Sequence, residues 1–225
     1  TDEKARRFIE WKLYMAERMS SSFGLERPVP VVMMTGFASG VIQDTLLLTD
    51  NFGYDGDLHT FYQGPTRAMY ARGEKRGDTV ELSGRDYYST SGSWGFVKWL
   101  ILSGKLKELR ESGVHYLLHS NVNNPIEDIS PQIVGYFHDS VLKARESGAA
   151  EPVLLVEFGD YRNEGGSTAV EIEYRDGSRQ RKMVHRNSWP VGMEEDFISR
   201  DGANYNLANY IINLDELWDI FGLGG

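Results

Sequence analysis

Apolar residues Phe96, Leu100, Ile101, Leu106 and Leu109 recur mostly three to five apart, and the spacing predicts a helix from Phe96 to Leu109. Gly104 sits inside that helix and weakens it, and Glu111-Ser112-Gly113 closes it with a glycine stop signal. Val114 to Ser120 is short and apolar and reads as a buried strand. Ser130-Pro131 then reads as an N-cap followed by proline at the first helical position. Helix, strand, polar loop and helix are half of a doubly wound parallel unit. Ligands of such sheets bind beyond the carboxyl ends of the strands, which here is His119 to Asn124.

The rest of the chain is patterned the same way. Residues 2 to 19 read as an amphipathic helix, with Asp2 as N-cap and Phe8, Trp11, Met15 and Met19 on one stripe. Pro30 to Met34 is a buried strand, Thr35 to Gly40 a turn, and Gln43 to Leu48 a helix or its first turns. Leu58 to Gln63 and Pro152 to Phe158 are further strands. Ala169 to Tyr174 and Gln180 to His185 alternate partly, and Asp176-Gly177 makes them a hairpin. Tyr205 to Leu214 is a strand with an irregular start, and Asp215 caps a last short helix stopped by Gly222. There is no internal repeat and no low-complexity linker, so residues 1–225 are expected to form a single domain.

Charge and composition narrow the partners. The net charge of −9 argues against a nucleic-acid binder, which needs a basic footprint. Arg67, Arg72, Lys75 and Arg76 form a basic run that could meet phosphate, although a solvated loop is the plainer reading. With no cysteine there is no disulfide, thiolate nucleophile or Cys-based zinc site, as suits a cytoplasmic protein. No apolar run approaches the ~20 residues that span a bilayer, and the charged start is no signal peptide. Thr1 in place of Met is what a processed or excised piece would show.

Several motifs fail. His115 and His119 have a helical metal spacing but lie on an expected strand, where they stand roughly 13 Å apart. Gly92-Ser93-Trp94-Gly95 is not a nucleophile elbow, because Ser91 stands where that motif needs glycine. Gly104-Lys105 is followed by Leu106 rather than Ser or Thr, so there is no P-loop.

An ordered string of positions carries a resemblance. It runs from Pro30, Val32, Met34, Asp44 and Thr45 through Phe61-Tyr62-Gln63 and Gly92 to Ser103-Gly104-x-Leu106-x-x-Leu109. It continues with Gly113-x-x-Tyr116, Asn121-Val122-Asn123-Asn124 and Pro131-x-Ile133-x-Gly135, then Gly165-Gly166 and Tyr205-Asn206-x-x-Asn209. The string resembles the UTP-dependent UDP-sugar pyrophosphorylases, which include the eukaryotic-type UDP-glucose and UDP-N-acetylhexosamine enzymes.

The resemblance implies a three-layer α/β, Rossmann-like nucleotidyltransferase fold, with a mostly parallel sheet and a small β-hairpin insertion. It implies transfer of uridylyl from UTP to a sugar-1-phosphate. It places Gln63, Gly92 and Asn121 at the nucleotide and Gly165, Gly166, Asn206 and Asn209 at the sugar. A carboxamide offers the donor and acceptor that a uracil edge needs, and amides suit sugar hydroxyls. The plain alternatives are a surface glutamine ending a strand and an ordinary glycine turn. The expected ligand is a uridine nucleotide or UDP-sugar, with Mg²⁺ as cofactor.

The pattern also breaks. The family's Asn-x-Asp-Asn holds Mg²⁺ through its Asp, and here that seat is Asn123, whose amide is a weaker ligand for a hard dication. Asp128 or Glu127 could substitute, or could simply decorate the loop before a helix. The family's lysine falls near Phe158, and its Gly-His-Gly-Asp is Gly92-Ser93-Trp94-Gly95. Nothing in these 225 residues replaces the Gly-Gly-x-Gly phosphate loop, expected upstream of Thr1, and the C-terminal β-helix of many members is absent too. Two readings follow: a divergent or truncated uridylyltransferase, or a non-catalytic nucleotide-sugar-binding or interaction module on the same scaffold.

Overall fold

A computed structural model describes residues 8–36, 40–69, 77–82, 85–90, 95–122, 130–160, 167–185 and 204–223. In chain order, α1 (Phe8–Ser22), β1 (Val31–Thr35), α2 (Gly40–Leu48) and β2 (Leu58–Tyr62) come first. Short strands β3 (Pro65–Arg67), β4 (Glu81–Leu82), β5 (Arg85–Asp86) and β6 (Tyr88–Thr90) precede α3 (Phe96–Leu102) and α4 (Lys105–Glu111). Then come β7 (Tyr116–His119), α5 (Pro131–Ser147), β8 (Leu154–Asp160), β9 (Ser167–Glu173), β10 (Arg179–His185), β11 (Asn204–Asn213) and α6 (Leu214–Ile220). These divide into one compact unit of residues 1–115, 122–135 and 222–225, and a second of 116–121 and 136–221.

In the first unit β1 and β2 pair in parallel, from Val31 opposite Leu58 to Thr35 opposite Tyr62. A core of Leu13, Leu46 and Tyr54 gathers Ile9, Ala16, Val31, Met33, Ile42, Phe52 and Leu58 around it. The buried stripe of α1 is therefore Ile9, Leu13, Ala16 and Ser20, not the expected Phe8, Trp11, Met15 and Met19; Phe8 is 54% exposed. Two neighbouring stripes of this helix are apolar, and contact with α2 and β1, not periodicity, selects one. Ser20 is tolerated inside because its hydroxyl donates to the Ala16 carbonyl at 2.7 Å and accepts from the Val29 N–H at 2.9 Å. Asp2, the expected cap, lies outside the described residues.

Beyond α2 the chain turns through Asp50, Asn51, Phe52 and Gly53 at φ of +47, +52, +57 and +76°. Asp and Asn enter this region readily, whereas Phe52 there costs roughly 1–2 kcal/mol, which its burial against the core helps to offset. Tyr54 closes the turn. Its hydroxyl donates to the Val29 carbonyl, and burial, reinforced by Glu17 and Asp57, pushes its pKa up to about 12.

The single helix expected from Phe96 to Leu109 is two. Gly104, at φ +76°, separates α3 from α4, and no side chain is needed there. The apolar spacing still reads correctly, since Phe96, Leu100, Leu106 and Leu109 are all buried. Gly113, at φ +84°, ends α4, and the Ser130 hydroxyl accepts from the Ile133 N–H at the start of α5.

The second unit holds the sheet β7-β11-β8, in which β11 is antiparallel to both neighbours. β7 and β8 thus run the same way with β11 reversed between them. Among the described residues only β1 and β2 pair in parallel, and the other strand pairs are antiparallel. A mixed α/β fold stands, but the mostly parallel sheet is not what these residues form. β11 is the middle strand of this sheet, and Ile211 and Ile212 are buried near its end. The hairpin β9–β10 pairs as expected, with Gly177 at φ +80° in its turn. The Ser178 N–H and hydroxyl both donate to Asp176 and hold its carboxyl below the usual range. α6 is capped by Asn213, not Asp215; the Asn213 carboxamide oxygen accepts from the Asp215 and Glu216 N–H groups.

Arg145, near the end of α5, grips Glu151 with two hydrogen bonds of 2.8 and 2.9 Å. That grip, helped by a hydrogen bond from Asn213, lowers the Glu151 pKa and raises that of Arg145. A carboxyl whose folded pKa is depressed stabilises the protein above its unfolded value, about 4.3, and loses this as pH falls through the folded value. Glu151→Gln is therefore expected to melt earlier than wild type at pH 7, and the gap should close on acidification. Melting curves at pH 7 and pH 3 check it, and a gap that persists at pH 3 contradicts the assignment.

Candidate functional site

Gln63 follows β2 directly. Its backbone N–H donates to the Thr35 carbonyl at 2.8 Å, extending the parallel ladder by one step. It sits where both strands end, the edge at which α/β sheets bind ligands. The side chain is 5% exposed, so it is not a surface glutamine. Alternation along β2 sends Thr60 and Tyr62 to one face and Phe61 and Gln63 to the other. On the first face the Tyr62 hydroxyl donates to the Gln43 carboxamide at 2.6 Å, and Gln43 donates to Thr60 at 3.3 Å. On the second face Phe61 meets Phe96 edge-on, with ring centroids 5.6 Å apart.

A bulge in β11 lies between Asn206 and Tyr210, where the register against β8 shifts and Ala208 takes φ +60°. The Asn206 carboxamide oxygen accepts from the Ala208 N–H at 2.8 Å, while its nitrogen donates to the Tyr210 hydroxyl at 2.7 Å. Asn209, 4% exposed, donates to the exposed Glu157 carboxylate at 2.7 Å. The irregular start expected for this strand is this bulge.

Glu157 is the residue that sequence reasoning missed. It is the one charge in the apolar run Pro152 to Phe158, and it accepts from a buried amide; a charge inside that run was the available signal. A carboxylate so held can accept hydrogen bonds from sugar hydroxyls. Its neighbour Phe158 pairs with Asn206 across the sheet.

Asn121 lies two residues past the end of β7 and is half-buried. Gly92, Asn123, Glu127, Asp128, Gly165 and Gly166 lie outside the described residues, as do Arg72, Lys75 and Arg76. Arg67 is exposed on β3. His119 ends β7, with its ring 5.3 Å from that of Tyr210. Among the described residues no group of three or more His, Asp or Glu side chains converges as metal ligands would. Among the same residues no helix is long and apolar enough to cross a membrane.

No curated protein matches the chain. Solved structures do. A variant of UDP-glucose pyrophosphorylase from Leishmania major, in complex with UDP-glucose, superposes at a TM-score of 0.73 with 16% identity over 99% of this chain and 47% of that one. UDP-glucose phosphorylase from Trypanosoma brucei gives 0.74 with 18% identity, over 97% and 44%. A putative UDP-N-acetylglucosamine pyrophosphorylase from Entamoeba histolytica gives 0.66 with 15% identity, over 96% and 53%. At these identities the likeness establishes the fold, and the chain spans about half the length of each structure. The family model described as UTP--glucose-1-phosphate uridylyltransferase matches residues 4–147, more than half of the 225. The chain belongs to that family.

Proposed function

We propose that the chain is the uridine- and sugar-recognising part of a UTP-dependent sugar-1-phosphate uridylyltransferase. The observation that carries this reading is Gln63, a buried carboxamide at the carboxyl end of a parallel pair. In the reaction a phosphate oxygen of the sugar-1-phosphate attacks the α-phosphorus of UTP. That P–O bond forms as the bond from the α-phosphorus to the bridging oxygen breaks, and pyrophosphate leaves with the electron pair.

Gln63 reads the uracil edge, with Gly92 and Asn121 beside the nucleotide. Asn206, Asn209, Gly165 and Gly166 face the sugar, and Glu157 joins them as an acceptor for its hydroxyls. Asn123 would hold Mg²⁺ weakly, with Asp128 or Glu127 as the substitute carboxylate, and the metal would supply neutralisation of the nucleotide phosphates. The whole is read as one three-layer, Rossmann-like domain with the β9–β10 hairpin inserted, working in the cytoplasm. The relative from Leishmania major was solved with UDP-glucose bound, which supports a uridine sugar nucleotide as ligand.

The second reading, a binding module without catalysis, is favoured by two positions: an amide at Asn123 and an aromatic at Phe158 where the family has carboxylate and lysine. Calorimetric titration with UDP-glucose, UDP-N-acetylglucosamine and ADP-glucose tests what both readings share. At least one uridine ligand is expected to bind more tightly than ADP-glucose. Equal binding of the adenosine ligand, or no binding by either uridine ligand, contradicts it.

A further inference from the structure

We propose that Tyr210 is a further sugar-binding residue, whose hydroxyl donates a hydrogen bond to a hydroxyl oxygen of the sugar. The inference rests on the reading of Asn206 above as a residue that faces the sugar. β11 pairs with β7 only from Tyr210 to Asn213, but its pairing with β8 runs on to Asn204. Past His119, where β7 ends, the β7 side of β11 is therefore open among the described residues, and the sheet has a notch. The notch lies beyond the carboxyl end of β7, the end at which α/β sheets take ligands. Tyr210 stands at its corner. Its ring packs against that of His119, with centroids 5.3 Å apart, and its hydroxyl reaches along β11 to Asn206, past the last residue of β7. All of these residues belong to the second compact unit.

The polarity of the hydroxyl follows from the backbone. The Ala208 N–H can only donate, so the group it meets at 2.8 Å is the Asn206 carboxamide oxygen. That fixes the carboxamide, and its nitrogen is what stands 2.7 Å from the Tyr210 oxygen. The nitrogen also can only donate, so the tyrosine oxygen accepts and its own proton points elsewhere. Asn206 is the one hydrogen-bond partner that the described residues give this hydroxyl. Each bond in the chain from Ala208 through Asn206 to Tyr210 polarises the next, which strengthens the last O–H as a donor. Half-buried Tyr210 thus offers a donor of fixed polarity beside Asn206, and a sugar hydroxyl oxygen is the acceptor that fits it.

The test is calorimetric titration of wild type and Tyr210→Phe with UDP and with the tighter-binding of UDP-glucose and UDP-N-acetylglucosamine. Tyr210→Phe keeps the ring on His119 and removes only the hydroxyl. The UDP-sugar is expected to bind roughly three- to tenfold more weakly, the worth of one hydrogen bond, with UDP unchanged. An Asn206→Asp background separates donation to the sugar from mere support of Asn206. The introduced carboxylate still accepts from the Ala208 N–H and takes the tyrosine proton for itself. Adding Tyr210→Phe there should therefore cost no further affinity. If Tyr210→Phe does not fold, Asn206→Asp alone carries the test, and the UDP-sugar should weaken relative to UDP. An unchanged ratio of UDP-sugar to UDP affinity in the variant that folds overturns the proposal and leaves the uridine reading standing. So does an equal loss with UDP, which puts the contact on phosphate, or a further loss in the Asn206→Asp background as large as in wild type. A wild-type chain that binds neither UDP-sugar overturns both.

Discussion

Supplied with UTP, glucose-1-phosphate and Mg²⁺, the 225-residue chain is expected to release pyrophosphate at least ~10³-fold more slowly than a family member with the full set of charged groups. Catalysis of this transfer is positioning plus neutralisation of the phosphates, with little covalent work for the protein. On the proposed reading Asn123 takes the seat of the family's Mg²⁺-holding carboxylate, and the family's lysine falls near Phe158. Removing one such group already costs ~10²–10³ in rate. Groups that act as a unit are not recovered one at a time. Asn123→Asp is accordingly expected to tighten Mg²⁺ in the presence of nucleotide without restoring turnover. A coupled pyrophosphate assay checks the rate, and calorimetry checks the metal. Robust turnover by the unmodified chain contradicts this account and points to Asp128 or Glu127 as the working carboxylate.

The second large effect is structural. Asn213→Ala is expected to cost about 2–3 kcal/mol of stability. Asn213 is 2% exposed and serves three elements at once. Its N–H donates to the Val153 carbonyl at 2.9 Å, its side-chain nitrogen to Pro152, and its oxygen caps α6. Alanine removes the cap and leaves buried polar groups unmatched. Asn213→Asp, a good cap on an exposed helix, is not expected to rescue. Its carboxylate would replace the amide that now donates to Glu151. Urea denaturation of both variants checks the pair, and an Asn213→Asp protein as stable as wild type contradicts it.

Much of this was legible in the residues, for identifiable reasons. β1, β2, β7 and β8 lie within a residue or two of the apolar runs that announced them, because short apolar runs between turn signals have few other uses. Asp176-Gly177 announced its hairpin through local chemistry alone. What was hidden depended on contacts distant in sequence. Nothing local tells which of two apolar stripes on α1 meets Leu46 and Tyr54. Gly104 reads locally as a weak residue inside one helix, and only its left-handed φ makes it a break. Asn213 and Asp215 are both good caps, and the end of β11 selects the first.

The candidate site divides the same way. Gln63 could be found from its short motif, but its burial could not. Asn206 and Asn209 could be found from their spacing, whereas the carboxylate that Asn209 holds required the pairing of β11 with β8.

The central claim is that Gln63 recognises uracil, and the most direct measurement is the dissociation constant of UDP-glucose for wild type and for Gln63→Ala. Loss of the amide removes both hydrogen bonds to the base edge, so affinity is expected to fall by roughly ten- to a hundredfold. The affinity for glucose-1-phosphate alone should be unchanged. UDP-glucose binding that is equally tight in the two proteins contradicts the account.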